Sequence, residues 1–587
     1  MILPKITVAK YLQLRLEELG LDKIFGVAGN YTAPFLNTII EDPKAKITII
    51  GNTNEINAGH CADAYARLKG IGAVGVTYGV GAFSVLNPVA GSYVEHNPVL
   101  VINGAPTTAE QSKSIGEGLL ASHMTGDMYS NINVFRQVTV AAEQVMSGNE
   151  APYKIDSVLN ALLSYGKPAY LEVFEDVWRM DCDPPDRPLT PKYGQGCEAT
   201  AQKAAQATAD LIEAKGEPIF WAGVEIQRKQ LHGAFLDLAE STEIEFTTSI
   251  MGKSIVSEDH PLFKGVFNGN ASPTDVYDRF TQAGAKIGLG AWTTGKNLGG
   301  FNIWDTDTVL ANKGGVRVGA KFFPNVGLGQ FMEKLKAELL SRREKFKAFS
   351  MDAAISMKLE MMPRALKAAP TGITYDRFFT TMDGYLTNDH AVVVDSGFPL
   401  LGAQGLHRGE PNTFIAQASW LSIGYSVPAA IGVKCAMPEK RVMVFVGDGA
   451  FQETCQAVST QHHQQQNTVV FVLDNKIYGI EQLLVNPNPF RGEDKVDYSE
   501  PALNTIYPYN KLNNWKYAKL TDAFGGKGLE VRTMTELKVA LATIDASPDD
   551  NFIVHVHIPE TDIPASIEYR TESPGEDETE NPDWSLC

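Results

Sequence analysis

Two stretches of the sequence, VMVFVGDGAFQ at residues 442–452 and VVFVLDNKIYGIE at residues 469–481, decide the predicted fold. Each begins as a short apolar run and then passes into glycine, aspartate or asparagine, which is the pattern of a buried parallel strand followed by a turn. Parallel strands end at the same edge of a sheet, where α/β folds bind their ligands. We therefore expect Asp448 and Asn475 to lie close together in a ligand site.

Gly447 and Gly449 of the first stretch also indicate what kind of ligand the site could bind. Tight glycines between a strand and a helix, here predicted over residues 453–461, let backbone N–H groups approach an anionic ligand. Gly-Asp-Gly is by itself also an ordinary turn. The second strand end is what makes the binding-site interpretation the stronger one.

The length and composition of the chain indicate a multidomain globular protein. The 587 residues exceed what one core usually organises, and a prior of about 150 residues per domain suggests roughly three or four units. Hydrophobic residues make up 44% of the chain and charged residues 20%, which excludes global disorder. The net charge of −18 repels phosphate backbones and anionic lipid, so neither nucleic acid nor a membrane is an expected partner.

The N-terminus and the cysteines both indicate a cytoplasmic protein. The first 20 residues have no basic start, continuous apolar run or small-residue cleavage site, so we predict no signal peptide. No window approaches the roughly 18 consecutive apolar residues of a membrane span. The six cysteines form no CxxC pair, and we interpret them as ordinary thiols in a reducing compartment, with one reactive thiol as the alternative.

Alternating helical and strand patterns predict an α/β protein with three doubly wound parallel sheets. A segment with four prolines, residues 181–196, is predicted to connect the first two domains, and a charged helix is predicted from about residue 333 to 362. The acidic C-terminal segment is predicted to be a mobile tail. The predicted units are residues 1–183, 195–345, 365–562 and the tail 566–587.

The two strand ends resemble the thiamine diphosphate (ThDP) motif, in which GDG is followed about 25 residues later by Asn at the next strand end. The resemblance implies ThDP and Mg²⁺ as cofactors. Mg²⁺ prefers oxygen ligands in octahedral geometry. The side chains of Asp448 and Asn475 and the backbone carbonyl of Ile477 could supply three of them.

The segment GNTNEINA at residues 51–58 resembles the part of ThDP enzymes that binds the aminopyrimidine ring. There a glutamic acid shares a proton with the ring nitrogen and so activates the cofactor. Glu55 is the candidate for this catalytic and cofactor-binding role. Its alternative interpretation is an acid that is favoured at a helix N-terminus.

Nearly the whole chain resembles the pyruvate decarboxylase group of ThDP-dependent 2-oxoacid decarboxylases. Segments such as GVGA at 79–82, PAYLE at 168–172 and WLSIGYSVP at 420–428 match the group. The resemblance implies a pyrimidine, a middle and a diphosphate domain, and Glu481 at the reacting centre. The implied cofactor-binding residues are Glu55, Ser396, Gly397, Leu421, Ile423, Gly447, Asp448, Gly449, Ala450, Asn475, Ile477, Tyr478 and Ile480.

Two positions depart from the group. Decarboxylases of this kind usually have Asp where this chain has Asn30, and a His-His pair where it has Ser122-His123. Asn30 and Ser122 are therefore catalytic positions whose proton carriers are missing, and His123 is the catalytic histidine that remains. His462-His463 are interpreted as helix-end residues, and His555 and His557 as structural residues of the last strand.

The predicted function is decarboxylation of a 2-oxoacid to an aldehyde, with acyloin-forming carboligase activity towards an aldehyde acceptor. Two alternatives are a dedicated carboligase resembling acyloin or acetolactate synthases, and a catalytically silent ThDP-binding protein. The family resemblance implies that Glu55 and the GDG loop of different subunits share one site. A homodimer or a dimer of dimers, that is a homotetramer, is the expected assembly.

Overall fold

The computed structural model describes residues 4–192, 196–303, 305–343, 372–491 and 504–567. The predicted acidic tail lies outside the described residues, apart from its first two positions. No helix in these ranges has the length and apolar character needed to cross a membrane. The five cysteines they contain, Cys61, Cys182, Cys197, Cys435 and Cys455, are free thiols.

The first domain is built on a parallel sheet of six strands in the order β3-β2-β4-β5-β7-β6. A short antiparallel pair, β1 with β8, ties the start of the chain to the end of this domain. The strands are β1 Ile6–Thr7, β2 Lys23–Gly26, β3 Thr48–Gly51, β4 Gly72–Thr77, β5 Val99–Ala105, β6 Ala142–Val145, β7 Ala169–Phe174 and β8 Asp181–Cys182. The α-helices are Val8–Glu18, Ala33–Glu41, Glu55–Lys69, Val80–Ser84, Leu86–Val94, Thr108–Glu117, Ser130–Phe135 and Ala151–Tyr165.

The middle domain has a seven-stranded sheet in the order β11-β10-β9-β12-β13-β14-β15. Its first five strands are parallel, but β14 and β15 form an antiparallel meander with β13. The strands are β9 Pro218–Ala222, β10 Phe246–Thr248, β11 Phe263–Val266, β12 Ala285–Leu289, β13 Thr308–Asn312, β14 Gly315–Val318 and β15 Lys321–Pro324. The α-helices are Glu198–Lys215, Glu225–Arg228, His232–Thr242, Thr274–Thr281, Gly295–Leu298 and Leu328–Ser341.

The last domain repeats the six-stranded parallel architecture, in the order β17-β16-β18-β19-β21-β20. Its inner strands are rich in buried valine and phenylalanine, as expected where helices cover both faces of a sheet, whereas the edge strand Lys527–Val531 is mostly exposed. The strands are β16 His390–Val394, β17 Phe414–Ala416, β18 Arg441–Gly447, β19 Val469–Asp474, β20 Lys527–Val531 and β21 Phe552–His557. The α-helices are Tyr375–Tyr385, Phe398–Ala403, Ser426–Ala436, Asp448–Thr454, Ala457–His463, Gly479–Val485, Thr521–Phe524 and Met534–Asp545.

The predicted fold class, α/β with three doubly wound parallel sheets, is confirmed, with the antiparallel strands β14 and β15 as an addition to the middle sheet. Two helix predictions are corrected. The helix after GDG begins directly at Asp448 and is interrupted between Thr454 and Ala457, whereas one helix over residues 453–461 was expected. The charged helix of the middle domain begins at Leu328 and ends at Ser341, so it starts earlier than predicted. Its predicted continuation to residue 362 falls on residues outside the described ranges.

The first and last domains pack directly against each other through the helices Glu55–Lys69 and Ser426–Ala436. A Cβ on Gly432 would lie 2.1 Å from the carbonyl oxygen of Cys61, so only glycine allows this separation. The Cys61 thiol in turn donates to the Pro428 carbonyl at 3.0 Å. The helix that carries Glu55 at its start is thereby fixed against the last domain.

A buried ionic network joins all three domains. Arg67 pairs with Asp63 at 2.7 Å and with Glu95 at 2.8 Å, all three from the first domain. The Tyr425 hydroxyl of the last domain donates to Asp63 at 3.0 Å, and Arg228 of the middle domain donates to the Glu95 carbonyl at 3.2 Å. Buried charges of this kind are tolerated only when they are paired. The network therefore holds the domains in one relative orientation.

Candidate active site

The predicted diphosphate edge is formed where β18 and β19 end side by side. The two strands are parallel neighbours, with Gly447 opposite Leu473. Asp448 follows at once as the first residue of a helix, and its buried carboxylate accepts N–H groups from Gly449 at 3.0 Å and Lys476 at 2.7 Å. The Lys476 bond ties the two strand ends together. Asp448 and Asn475 thus come to one edge, as the sequence predicts.

Three oxygen atoms are available at this edge. The carboxylate of Asp448 is the first, and the side-chain carbonyl of buried Asn475, which accepts the Ile477 N–H at 3.4 Å, is the second. The Ile477 carbonyl accepts the Gly479 N–H at 2.9 Å and keeps a second lone pair. Carboxylate and carbonyl oxygens are the ligands that Mg²⁺ prefers, so this donor set fits that ion.

The environment of Asp448 supports a cation at the same place. Burial raises the pKa of its carboxyl well above the usual range, and the hydrogen bond and negative charge of Asp474 raise it further. Two carboxyl groups that touch away from water repel each other when both are ionised. A divalent cation bound at Asp448 would offset that repulsion.

The turn itself is shaped by close packing of Tyr478. A Cβ on Gly449 would lie 2.4 Å from the Tyr478 ring, so a larger residue would displace the ring or the turn. Ala450, the next residue, is buried at the helix start. Gly447 differs, since its Cβ position has no neighbour closer than 3.9 Å and leaves room beside the strand end.

A second loop brings together the residues predicted to contact the pyrimidine. The Ser396 hydroxyl donates to the Leu421 carbonyl at 3.4 Å, although 25 residues separate them. Gly397 has a φ of +83°, and its Cβ position lies 3.5 Å from Ile480. Leu421 also has a positive φ, +59°, and the side chain of Ile423 is 40% exposed. An apolar side chain held out from a strained turn can support a ligand.

Two carboxylates that the sequence analysis did not single out hold this loop. Buried Asp395 accepts N–H groups from Ser396 at 3.0 Å, Gly424 at 3.2 Å and Ser426 at 2.8 Å, while burial raises the pKa of its carboxyl to about 6. Asp395 directly follows strand β16, and this position at a strand end is the sequence feature that could have identified it.

Glu95 is the second of these carboxylates. It lies at the end of a helix in the first domain and accepts the N–H groups of Ser419 at 2.7 Å and Trp420 at 3.0 Å. These contacts span more than 320 residues of chain. Nothing in the local sequence around Glu95 could have indicated them.

Glu55 begins its helix in the first domain. Asn54 caps the helix by accepting the Asn57 N–H at 2.7 Å, which fixes where the helix starts. The Glu55 Oε1 atom lies 3.2 Å from the position that a Cβ on Gly81 would take. Glu55 therefore faces the glycine-rich turn after β4, and a side chain at residue 81 would crowd its carboxyl group.

The departures from the family gather beside this turn. The Asn30 side chain hydrogen-bonds the Tyr31 phenol, whose hydroxyl donates to the Ser122 carbonyl at 3.3 Å. The rings of Tyr31 and His123 are 6.3 Å apart between centroids. A Cβ on Gly79 would lie 2.1 Å from the His123 carbonyl oxygen, so the 122–123 segment rests on the same turn. Asn30, Ser122, His123 and Glu55 thus form one group.

The structure does not join this group to the diphosphate edge. Among the described residues, no hydrogen bond or ion pair connects Glu55, Asn30, Ser122 or His123 with Asp448, Asn475 or Ile477. Glu481 lies on the helix Gly479–Val485 with an exposed side chain, on the diphosphate side. His462 and His463 end a helix, as expected. We call these two groups of residues half-sites: the first contains Glu55, Asn30, Ser122 and His123, and the second contains Asp448, Asn475 and Ile477.

Comparison with known proteins agrees with this architecture. The N-terminal TPP binding domain of thiamine pyrophosphate enzymes matches residues 6–131, the central domain of these enzymes matches residues 205–313, and the C-terminal TPP binding domain matches residues 396–555. TPP, thiamine pyrophosphate, is another name for ThDP. Both half-sites lie within the two TPP binding domains.

Curated relatives agree over the full length. An alpha-keto-acid decarboxylase of Mycobacterium leprae is 30% identical over 100% of both chains. Enzymes of the same name from Mycolicibacterium paratuberculosis and Mycobacterium tuberculosis are also 30% identical, the first over 96% of this chain and 95% of its own, the second over 96% of each. The fold and these matches define a thiamine pyrophosphate enzyme. The chain belongs to the ThDP-dependent 2-oxoacid decarboxylase family.

Proposed function

We propose that this protein uses ThDP and Mg²⁺ to decarboxylate a 2-oxoacid to an aldehyde, and that it also transfers the decarboxylated unit to an aldehyde acceptor, giving an acyloin. The observation that carries the proposal is the set of oxygen atoms on Asp448, Asn475 and Ile477 at the edge between β18 and β19. The relatives named alpha-keto-acid decarboxylase support the substrate class.

Each half-site has its own task in this proposal. ThDP, when bound, supplies the carbon nucleophile and accepts the electrons that carbon dioxide leaves behind. Asp448, Asn475 and Ile477 would hold Mg²⁺ and the diphosphate. Ser396, Leu421 and Ile423 would hold the ring system, and Glu55 would hold the proton that the aminopyrimidine ring requires.

Completing the site requires a second chain. Glu55 and Asp448 belong to half-sites with no direct polar contact among the described residues, and several apolar side chains of the segments that carry the two half-sites are exposed. Contiguous exposed apolar surface marks interfaces in soluble proteins. A homodimer, or a dimer of dimers, would bury these residues: Ile56, Val80, Ile115, Leu119 and Leu120 beside the first half-site, and Trp420, Ile423 and Val485 beside the second.

Carboligation follows from the missing proton carriers. Asn30 cannot exchange a proton at neutral pH, and Ser122 contributes its backbone carbonyl to Tyr31. Aldehyde release needs one proton to be added and another removed, and His123 and Glu481 are the groups left for that work. Decarboxylation depends mainly on desolvation and charge neutralisation, so it tolerates the loss better.

The test is a panel of aliphatic and aromatic 2-oxoacids, assayed with and without an added aldehyde. We expect carbon dioxide from at least one 2-oxoacid, free aldehyde without an acceptor, and acyloin when the acceptor is present. Acyloin formed with no free aldehyde under either condition would instead indicate a dedicated carboligase. ThDP binding with no carbon dioxide from any substrate would overturn the proposal in favour of a silent binding protein.

A further inference from the structure

Three metal-ligating side chains meet on one face of the last sheet, behind the diphosphate edge. Asp474 ends β19 and pairs in register with His557 of β21, and His555 lies two residues earlier on the same face. The Asp474 Oδ2 atom is 2.7 Å from His555 Nε2 and 3.8 Å from His557 Nδ1. Asp474 and His555 are buried, while His557 is partly open to solvent.

The surroundings of His557 are those of a metal ligand. Its Nε2 atom lies 3.0 Å from the carboxylate of Glu530, on the neighbouring strand β20. A carboxylate on the distal nitrogen is how metal-bound histidines are usually oriented, and it leaves the other nitrogen facing the metal.

We propose that Asp474, His555 and His557 bind a transition-metal ion of the Zn²⁺ class. Two imidazoles and one carboxylate suit Zn²⁺ and Co²⁺, whereas the all-oxygen set at Asp448 suits Mg²⁺. Ligand atoms of a tetrahedral zinc site lie roughly 3.3 Å apart. The three candidate ligand atoms lie within 4.8 Å of one another, and the His555 and His557 rings are 4.0 Å apart between centroids, so the rings must tilt for both nitrogens to reach one ion.

The proposed metal site contacts the active site through Asp474. Asp474 stands between His555 and Asp448, and it is hydrogen-bonded to both. An ion that takes the Asp474 carboxylate removes that negative charge from beside Asp448. The nitrogen site and the oxygen site are therefore coupled electrostatically through this pair of carboxyl groups.

The test uses Co²⁺ as a probe on the full chain, freed of transition metals by a chelator and saturated with Mg²⁺ and ThDP. We expect one Co²⁺ per chain, with a visible absorption band of a site that contains nitrogen ligands. His557→Ala should abolish the band. Glu530→Gln, which removes no ligand, should weaken Co²⁺ binding about 10- to 100-fold. His463→Ala, which removes an exposed histidine of the same domain, is the matched control and should bind as the original protein does.

Three results would overturn the proposal. The first is no Co²⁺ band in the original protein. The second is binding that His557→Ala leaves unchanged. The third is a Co²⁺ signal that excess Mg²⁺ removes and Asp448→Ala abolishes, because the ion then occupies the oxygen site. His555→Ala gives an independent check, and circular dichroism of each variant reports whether it has folded.

Discussion

Glu55 and Asp448 are both carboxylates at the first residue of a helix, but their neighbours give them different chemistry. Asp448 is buried against Asp474 and bonded to two backbone N–H groups, an arrangement that suits a fixed cation. Glu55 faces a glycine turn and is only partly buried, so a ligand can reach its carboxyl group. At the scale of single residues, one group is expected to bind and the other to transfer a proton.

The Glu55→Gln variant should fold and retain most of its ThDP affinity but lose activity with every 2-oxoacid. The amide has the same shape but cannot supply the proton, and loss of one general acid or base costs about 100- to 10,000-fold in rate. Steady-state assays at saturating ThDP measure this, with Glu117→Gln, an exposed helix-end residue, as the control. Near-normal turnover would remove Glu55 from the mechanism.

The Asp448→Ala variant should lose ThDP and Mg²⁺ together, since the diphosphate is held largely through the metal. Asn475→Ala should behave similarly because it removes another oxygen from the same set. Calorimetric titration of ThDP with and without Mg²⁺ distinguishes the outcomes. If chelating the magnesium leaves ThDP affinity unchanged, the diphosphate site has been assigned to the wrong residues.

The double variant Asn30→Asp with Ser122→His should shift products from acyloin towards free aldehyde. It restores two proton carriers beside Tyr31, and a change of about 1.4 kcal/mol in one barrier alters the product ratio tenfold. Chromatography of products formed with an added aldehyde gives the ratio directly. An unchanged ratio, or aldehyde as almost the sole product of the original protein, would mean that another group carries the proton.

At the scale of elements, the helix Glu55–Lys69 serves both the first half-site and the contact between domains. His60 is buried on this helix, edge-on to Tyr425 at 5.3 Å between ring centroids. Neither of its ring nitrogens has a hydrogen-bond partner among the described residues. Burial lowers the pKa of His60 to about 4.

This histidine predicts how stability depends on pH. The unfolded chain takes up a proton below about pH 6.5 and the folded chain does not, so stability falls as pH falls from 6.5 towards 4. At pH 5, this difference in proton uptake lowers the free energy of unfolding by about 2 kcal/mol relative to neutral pH. The His60→Leu variant should lose this share of the dependence, whereas His463→Leu should retain it; His96 and His390, whose pKa values burial also lowers, keep their own shares in both variants. Thermal unfolding at about pH 5 and pH 7.5 measures the difference, and equal sensitivity in all three proteins would contradict it.

The elements also show what the sequence could reveal. The strand ends at Asp448 and Asn475 were predictable because parallel strands share an edge and the spacing between the two motifs is short. The contacts of Glu95 with residues 419–420 were not, because they join distant parts of the chain. The helix break after Thr454 could not be predicted, because no glycine or proline stands there. The hairpin of β13 and β14, however, has a visible signal in Lys313-Gly314, both with positive φ.

At the scale of the whole molecule, the separated half-sites predict complementation between two inactive variants. When Glu55→Gln and Asp448→Ala chains form a mixed dimer, one of its two sites receives an intact residue from each chain. Random pairing of equal amounts should therefore restore activity at about a quarter of all sites. Co-expression with two different affinity tags isolates the mixed species. An inactive mixed dimer would show that each site is built from one chain.

The order of strands in the last sheet affects how this domain folds during synthesis. The last strand among the described residues, β21, lies inside the sheet between β19 and β20. Until residues 552–557 have been synthesised, β19 has an unpaired edge and β20 has no neighbouring strand in the sheet. Unpaired strand edges can pair with other chains and cause aggregation. A message cut short between the codons for residues 531 and 552 would therefore produce an aggregating chain rather than a partial enzyme.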